Sequence, residues 1–428
     1  MRNIFLFLCC LVFFLSCEDK NKQSESGSTP YNPALLVEVT EFMPDAGRIR
    51  EKVIIKGHNF GTDKSQVKVY FVDELTERAA TVIGVDNNTI YCLTPRQLDG
   101  ENKIKIVVHG KDATAESKFK YTVAENVSTI AGSAANTATE DGTLAEAKFN
   151  YLQGIGALGN ESMLVFQKTD PCVRYVSIPD NAVITVHSGF AGGKPAVTKD
   201  KTKVYAAGWD SPHTIYRYTK ASGWAPERIG QLGITFGKIR AVALDKNEEL
   251  LYFCDAAGKF GYYEIATQKV VTLNASTDAI TSDGNYLIYN WRDDHFYVSC
   301  AAKYGIYRIN PDGRDVETYA GFNGGVVRDG YVGEECAFAQ PDGLTLNEDG
   351  DIYVCEGFKA HVIRKISIID NYVSTVAGYY DGANDGSQID GSPIDARFNY
   401  PYDIDNDGEG NYWIVEGWGN AVRKYAVE

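Results

Sequence analysis

The sequence predicts an all-β chain of two parts, a small β-sandwich followed by a ring of six four-stranded sheets. Three observations predict it. Residues 34–123 run as short strands of alternating polarity separated by turn residues. From residue 127 onward, one pattern of strands, Gly turns and Ala-Gly strand ends recurs. The composition suits both parts, because 41 Gly, 27 Tyr and 12% aromatics favour many short strands joined by tight turns.

The chain opens with Met1-Arg2-Asn3, a short positive start, and an apolar run over residues 4–15 that is too short to span a bilayer. That run ends at Phe14-Leu15-Ser16-Cys17, and Glu18-Asp19-Lys20 follow. Residues 18–33 are polar and contain Pro, Ser and Gly, the composition of a flexible tether. Strands then follow over 34–123, reading LLVEVTEF, KVIIKGHNF, VKVYFV, TIYCLTP, KIKIVVHG and KFKYTV. Turns at Pro44-Asp45-Ala46-Gly47, Asp86-Asn87-Asn88 and Asp99-Gly100 separate them. Alternation with one face inward makes a sandwich. Gly57 and Gly61 bracket a turn in which a Cβ would crowd the backbone.

The repeat is clearest in three stretches. VSTIAG at 127–132 precedes Asp141-Gly142 and Ala147-Lys148-Phe149. Thr318-Tyr319-Ala320-Gly321 precedes Asp329-Gly330 and a run from Ala337-Phe338 to Pro341-Asp342-Gly343. VSTVAG at 373–378 precedes Asp385-Gly386 and the run Ala396-Arg397-Phe398-Asn399-Tyr400-Pro401. Later strands carry Arg364-Lys365 and Arg423-Lys424. A four-stranded unit cannot bury both faces alone, so the units close into a ring over 124–428. Six fit the length, and seven is the alternative if the weak stretch from 190 to 300 hides another. The last unit has three strands, and the 127–132 strand completes it and removes an open edge.

A net charge of −15 with no basic stripe argues against nucleic acid as a partner. Cys92, Cys172, Cys254, Cys300, Cys336 and Cys355 follow the leader; three of them end similar strands, which predicts buried structural thiols. The chain has six His, and its sequence contains no HExxH, GxSxG or spaced metal-ligand set.

Loops after the second strand of each unit, and those between units, gather on one face around the channel mouth. There the sequence places Glu416-Gly417-Trp418-Gly419-Asn420, Glu356-Gly357-Phe358 with His361, Gly208-Trp209-Asp210, Lys168-Thr169-Asp170 and Tyr304, with Tyr400 nearby. A sugar ring offers an apolar C–H face and a rim of hydroxyls, so aromatic planes beside polar groups suit it. The candidate ligand-binding residues are therefore Trp209, Asp210, Tyr304, Glu356, Phe358, His361, Tyr400, Glu416, Trp418 and Asn420. Phe149, Phe398 and Tyr402 read as wedges between sheets, and Trp224 and Trp291 as packing. Asp403-Ile404-Asp405-Asn406-Asp407-Gly408 matches the opening of a calcium loop, but Ile414 stands where the bidentate Glu belongs. Asp403, Asp405 and Asp407 are thus a weak metal candidate, and no cofactor is expected beyond that calcium alternative.

Several of these segments resemble known families. Residues 1–17 resemble a bacterial lipoprotein signal with Cys17 as the lipidated residue. The acidic pair after it resembles the signal that carries Bacteroidota lipoproteins to the outer face of the outer membrane. Residues 34–123 resemble an immunoglobulin-like IPT/TIG domain, on Phe42-Met43-Pro44, the run from Val53 to Gly61, and Cys92-Leu93-Thr94-Pro95. Residues 124–428 resemble a six-bladed β-propeller of NHL repeats.

Together these features resemble surface lipoproteins of Bacteroidota glycan-utilisation systems. The resemblance implies a non-catalytic protein, lipid-anchored in the outer membrane and facing the cell exterior. It would capture polysaccharide or oligosaccharide beside a starch-utilisation-type transporter and its binding lipoprotein. Two alternatives stand: a metal-dependent propeller lyase or lactonase using Glu356, Glu416 and Asn420, and a protein-interaction scaffold.

Overall fold

A computed structural model of the protein describes residues 29–427, apart from 75, 98, 274–279, 322–323, 334 and 381–385. Cys17, the leader and most of the tether lie outside the described residues.

The N-terminal unit is built on two sheets. One orders Glu38–Met43, Lys52–His58, Thr89–Leu93 and Thr81–Asp86; the other orders Ala46–Gly47, Lys111–Tyr121, Gly100–Val108, Val67–Val72 and Glu77–Ala79. Strict alternation along Val67–Val72 and Gly100–Val108 turns Val69, Phe71, Ile104 and Ile106 inward, where all four are buried. Phe119 meets Phe71 edge-on at 5.2 Å between ring centroids and lies 6.3 Å from Phe42 of the other sheet, so the core sits between the sheets. Gly57 is required here, because a Cβ would fall 1.9 Å from the Glu38 carbonyl oxygen.

The C-terminal unit contains six antiparallel sheets among the described residues. Their first strands, in chain order, are Leu152–Gly159, Ala196–Val197, Ile239–Leu244, Asn285–Asn290, Pro341–Leu346 and Pro401–Asn406. Each touches the next, and Pro401–Asn406 touches Leu152–Gly159, which closes the cycle of a β-propeller. The sixth sheet takes its outer strand from the start of the unit: Glu125–Gly132 pairs antiparallel with Ala421–Val427. The edge that three strands would leave open is thereby paired.

A buried wedge explains the strongest part of the repeat. Arg174, Arg364 and Arg423 are fully buried, with guanidinium carbons 4.8, 5.1 and 5.1 Å from the ring centroids of Phe149, Phe338 and Phe398. They pair with Asp141, Asp329 and Asp390 at 2.8, 3.0 and 2.9 Å. These carboxylates also accept from the hydroxyls of Thr185, Thr375 and Thr129. These pairings place the third Asp-Gly of the repeat at Asp390-Gly391; Asp385 of the Asp385-Gly386 that the sequence offers for it lies outside the described residues. Asp390 holds the closing strand as well, accepting the Thr129 N–H at 2.9 Å. Asp390→Ala is expected to cost about 1 kcal/mol, read as a lower urea midpoint, because its carboxylate is half exposed.

All six described cysteines are buried and unpaired, as expected of small core residues. Among the described residues no helix is long and apolar enough to cross a membrane.

Candidate functional site

The site grows from the turns that follow Ile352–Glu356 and Asn411–Glu416, the second strands of the fifth and sixth sheets. Each strand ends in a fully buried Glu. Glu416 accepts the Asn399 N–H at 3.0 Å and pairs with Arg423 at 2.8 Å; Glu356 accepts from the Ala339 and Gln340 N–H groups and pairs with Arg364 at 2.5 Å. Burial pushes the Glu416 carboxyl up to about 7 and raises Glu356 against the pull of their arginines. Both carboxylates fix the turns from inside, which corrects the expectation that they line the mouth.

Gly357 and Gly417 come next, and the ring of Tyr400 lies between them. A Cβ would fall 2.4 Å from Tyr400 Cδ2 at Gly357 and 3.0 Å from Cδ1 at Gly417. Phe358 and Trp418 therefore emerge on either side of that ring, each 47% exposed. Their centroids are 5.7 Å apart, and 6.1 and 4.6 Å from that of Tyr400. Two half-exposed rings over a buried third make an aromatic shelf.

Tyr400 and its first-sheet counterpart Tyr151 adopt φ of 62° and 60°, a left-handed conformation that strains a bulky residue. Each is held through its backbone: the Tyr400 N–H lies 3.2 Å from His361 Nδ1, itself 3.0 Å from the Phe398 carbonyl, and the Tyr151 N–H donates to Asn420 Oδ1 at 2.7 Å. His361 and Asn420 are buried, so they position the tyrosines and do not line the surface. Tyr151 is half-buried and links the shelf to the buried Tyr402, with centroids 6.3 Å (Tyr151 to Tyr400) and 5.9 Å (Tyr151 to Tyr402) apart. Phe149, Phe398 and Tyr402 are buried, as wedges would be.

Trp209 departs from expectation. It is only 6% exposed, with Arg240 4.2 Å, Lys168 4.9 Å and Lys238 6.0 Å from its ring. It joins the shelf indirectly, since Lys168 also lies 4.8 Å from the Tyr151 ring. Asp210 beside it is exposed; Tyr304 is partly buried, 5.3 Å from the Lys359 ammonium. Sequence reasoning passed over Lys238, Arg240 and Asp342. Their signal was positional, because each stands at the start of an inner strand and so next to the axis.

The calcium-like run also resolves differently. Asp403 accepts the Ile155 N–H at 3.0 Å and faces Lys194 at 3.3 Å; Asp405 accepts the Ala157 N–H at 2.8 Å and lies 3.8 Å from Lys194. Asp407 turns away to the Trp413 N–H at 3.1 Å and to Asn411. Asp403 and Asp405 lie on a strand and face a buried ammonium, so the three do not converge on one ion. Among the described residues no group of three or more His, Cys, Asp or Glu is arranged to hold a metal.

Beyond the Lys194–Asp403–Asp405 plug, at the other end of the inner strands, a cavity of about 600 Å³ is lined by Val197, Lys199, Leu244, Trp291, Leu346 and Asn406. Trp291, read from sequence as packing, is 51% exposed there. The channel therefore has two mouths, and the aromatic shelf belongs to the first.

Residues 38–123 match the IPT/TIG domain family. A solved structural-genomics protein of unknown function from Bacteroides thetaiotaomicron is 56% identical, with a TM-score of 0.86, covering 94% of this chain and 100% of that one. Two auxiliary nutrient binding proteins, from Bacteroides thetaiotaomicron and Bacteroides ovatus, share the fold at 21% and 23% identity, with TM-scores of 0.60 and 0.62. They cover 93% and 94% of this chain and 99% and 100% of their own. None of the curated proteins matches the chain.

Proposed function

The chain belongs to the family of the Bacteroides thetaiotaomicron protein with which it shares 56% identity, and from that premise we propose that it binds a nutrient glycan without transforming it. The observation that carries this reading is the shelf of Phe358 and Trp418 over Tyr400. Two half-exposed rings at an angle, on a strained but clamped support, suit the C–H faces of successive sugar units. The shared fold with two auxiliary nutrient binding proteins supports a nutrient as the class of ligand. In the full reading, lipid on Cys17 holds the protein on the outer face of the outer membrane. The propeller then passes captured saccharide to a starch-utilisation-type transporter and its binding lipoprotein.

The lyase or lactonase alternative relied on Glu356, Glu416 and Asn420. All three are engaged by Arg364, Arg423 and the Tyr151 N–H, and no observation favours it over binding.

The test is binding of purified protein to an oligosaccharide panel by affinity gel and titration calorimetry. Trp418→Ala is expected to weaken a confirmed ligand about tenfold or more, with Phe358→Ala following the same direction. Both side chains are half exposed, so the fold should survive their truncation. Unchanged affinity in both variants would overturn the reading. Trp209→Ala is a poor probe, because it would also empty a buried position.

A further inference from the structure

The corner of the same mouth around Trp209 is chemically unlike the shelf. Lys168, which follows the strand Ser162–Gln167, closes over one indole with Lys238 and Arg240, which stand at the start of the strand Ile239–Leu244. On a chain of net charge −15, three cations within reach of one ring form a local reversal of the protein's field. Two of them are anchored. Lys238 and Arg240 pair with Asp283 at 3.2 and 3.4 Å, and Arg240 also donates to the Tyr402 hydroxyl and the Asp283 carbonyl. Lys168 differs: among the described residues its ammonium contacts the faces of Tyr151 and Trp209 but forms no ion pair. The Trp209 indole N–H, buried beneath, likewise has no acceptor. A buried N–H without a partner is rare enough in a folded protein to call for one.

The corner therefore presents donors and positive charge, and it connects to the shelf through Tyr151. Tyr151 lies under Lys168 on one side and meets Tyr400 at 6.3 Å on the other, and Tyr400 supports Trp418. We propose that this corner is a subsite for an anionic substituent, a carboxylate or a sulfate ester, on the saccharide whose neutral units stack on Phe358 and Trp418. This proposal rests on the glycan-binding reading and narrows its substrate class. Lys168 supplies the contacting ammonium, while Arg240 and Lys238 supply field and hold Trp209 in place. The opposing charges nearby are Asp283, already paired, and the exposed Asp210. Burial first, then Arg240 and Lys238, lower the Lys168 ammonium below its usual value, against Asp283 and Asp210.

The experiment is titration calorimetry on the full chain with three oligosaccharides of similar length: an oligogalacturonate, a sulfated oligosaccharide and a neutral one. Wild type, Lys168→Met and Trp418→Ala are compared at low and high salt. Met keeps the aliphatic cover over both rings, and a thermal melt checks that the variant is folded. An anionic oligosaccharide is expected to bind more tightly than the neutral one. Lys168→Met should weaken it about tenfold or more, and added salt should weaken it further. Which anionic arm binds identifies carboxylate or sulfate. Trp418-dependent binding that is indifferent to Lys168 and to ligand charge overturns the subsite and leaves the shelf standing. Absence of any Trp418-dependent binding overturns both.

Discussion

Arg423→Met is expected to destabilise the propeller by about 3–5 kcal/mol in mild alkali, where it leaves the Glu416 carboxylate buried without its counter-charge. Both side chains are fully buried, and Arg423 also donates to the carbonyls of Arg397 and Ile389 and to Asp390. The loss falls on the sheet that closes the ring, since Ala421–Val427 pairs with Glu125–Gly132. The pH dependence has a defined sign. Burial has already raised Glu416 from 4.5 to about 7, so its favourable contribution is complete in acid and fades as pH rises through about 7. Removing Arg423 raises that carboxyl further, so the variant's deficit should be largest in mild alkali and shrink toward pH 5. Urea unfolding across pH measures it, and Glu416→Gln added to Arg423→Met should recover part of the loss. A deficit below about 1 kcal/mol at all pH values would contradict the account.

The opposite sign is expected for Asp342→Asn. Asp342 is 3% exposed, and its side chain accepts the Gly357 N–H at 3.2 Å. Burial pushes its carboxyl from the ordinary 3.8 up to about 8; Arg240 and the Gly357 N–H pull it down, and Glu356 and Asp403 push it up. The native state thus holds a proton that the unfolded chain has released. That contribution is fully present below about pH 4 and is lost as pH rises to about 8, at a slope of up to about 1.4 kcal/mol per pH unit. Asn keeps an acceptor for Gly357 without the charge. The variant should be more stable than wild type by a few kcal/mol at pH 8 and equal to it near pH 4. Parallel stability profiles across this window would show that Asp342 is not held protonated.

The repeating unit was legible wherever the Phe–Arg–Asp wedge recurs, at Phe149–Arg174, Phe338–Arg364 and Phe398–Arg423. The stretch from 190 to 300 faded for a physical reason. The same irregularity in the third strand occurs at Ile215/Tyr216 and Ile306/Tyr307 as at Val173/Arg174 and Ile363/Arg364. Tyr stands there in place of Arg, so the backbone persists while the letters change. In the site, Phe358 and Trp418 were legible because each follows a Gly and lies outside the repeat. Gly208-Trp209 carries the same local signal, yet Trp209 is covered by side chains from Lys168 and from Lys238 and Arg240, which only the closed ring brings together. The alternating Asp of 403–407 resembled an ion loop because Lys194, the cation they face, lies 209 residues from Asp403. Trp291 reads from sequence as packing because a hairpin turn gives no hint that a cavity opens beside it.

A crystal structure of the protein soaked with an oligosaccharide that it binds in solution tests the binding assignment most directly. A sugar ring in van der Waals contact with the Trp418 indole, with the chain continuing over Phe358 or toward Lys168, is the predicted result. A saccharide seated in the cavity beside Trp291, with the Trp418 shelf bare, would contradict it.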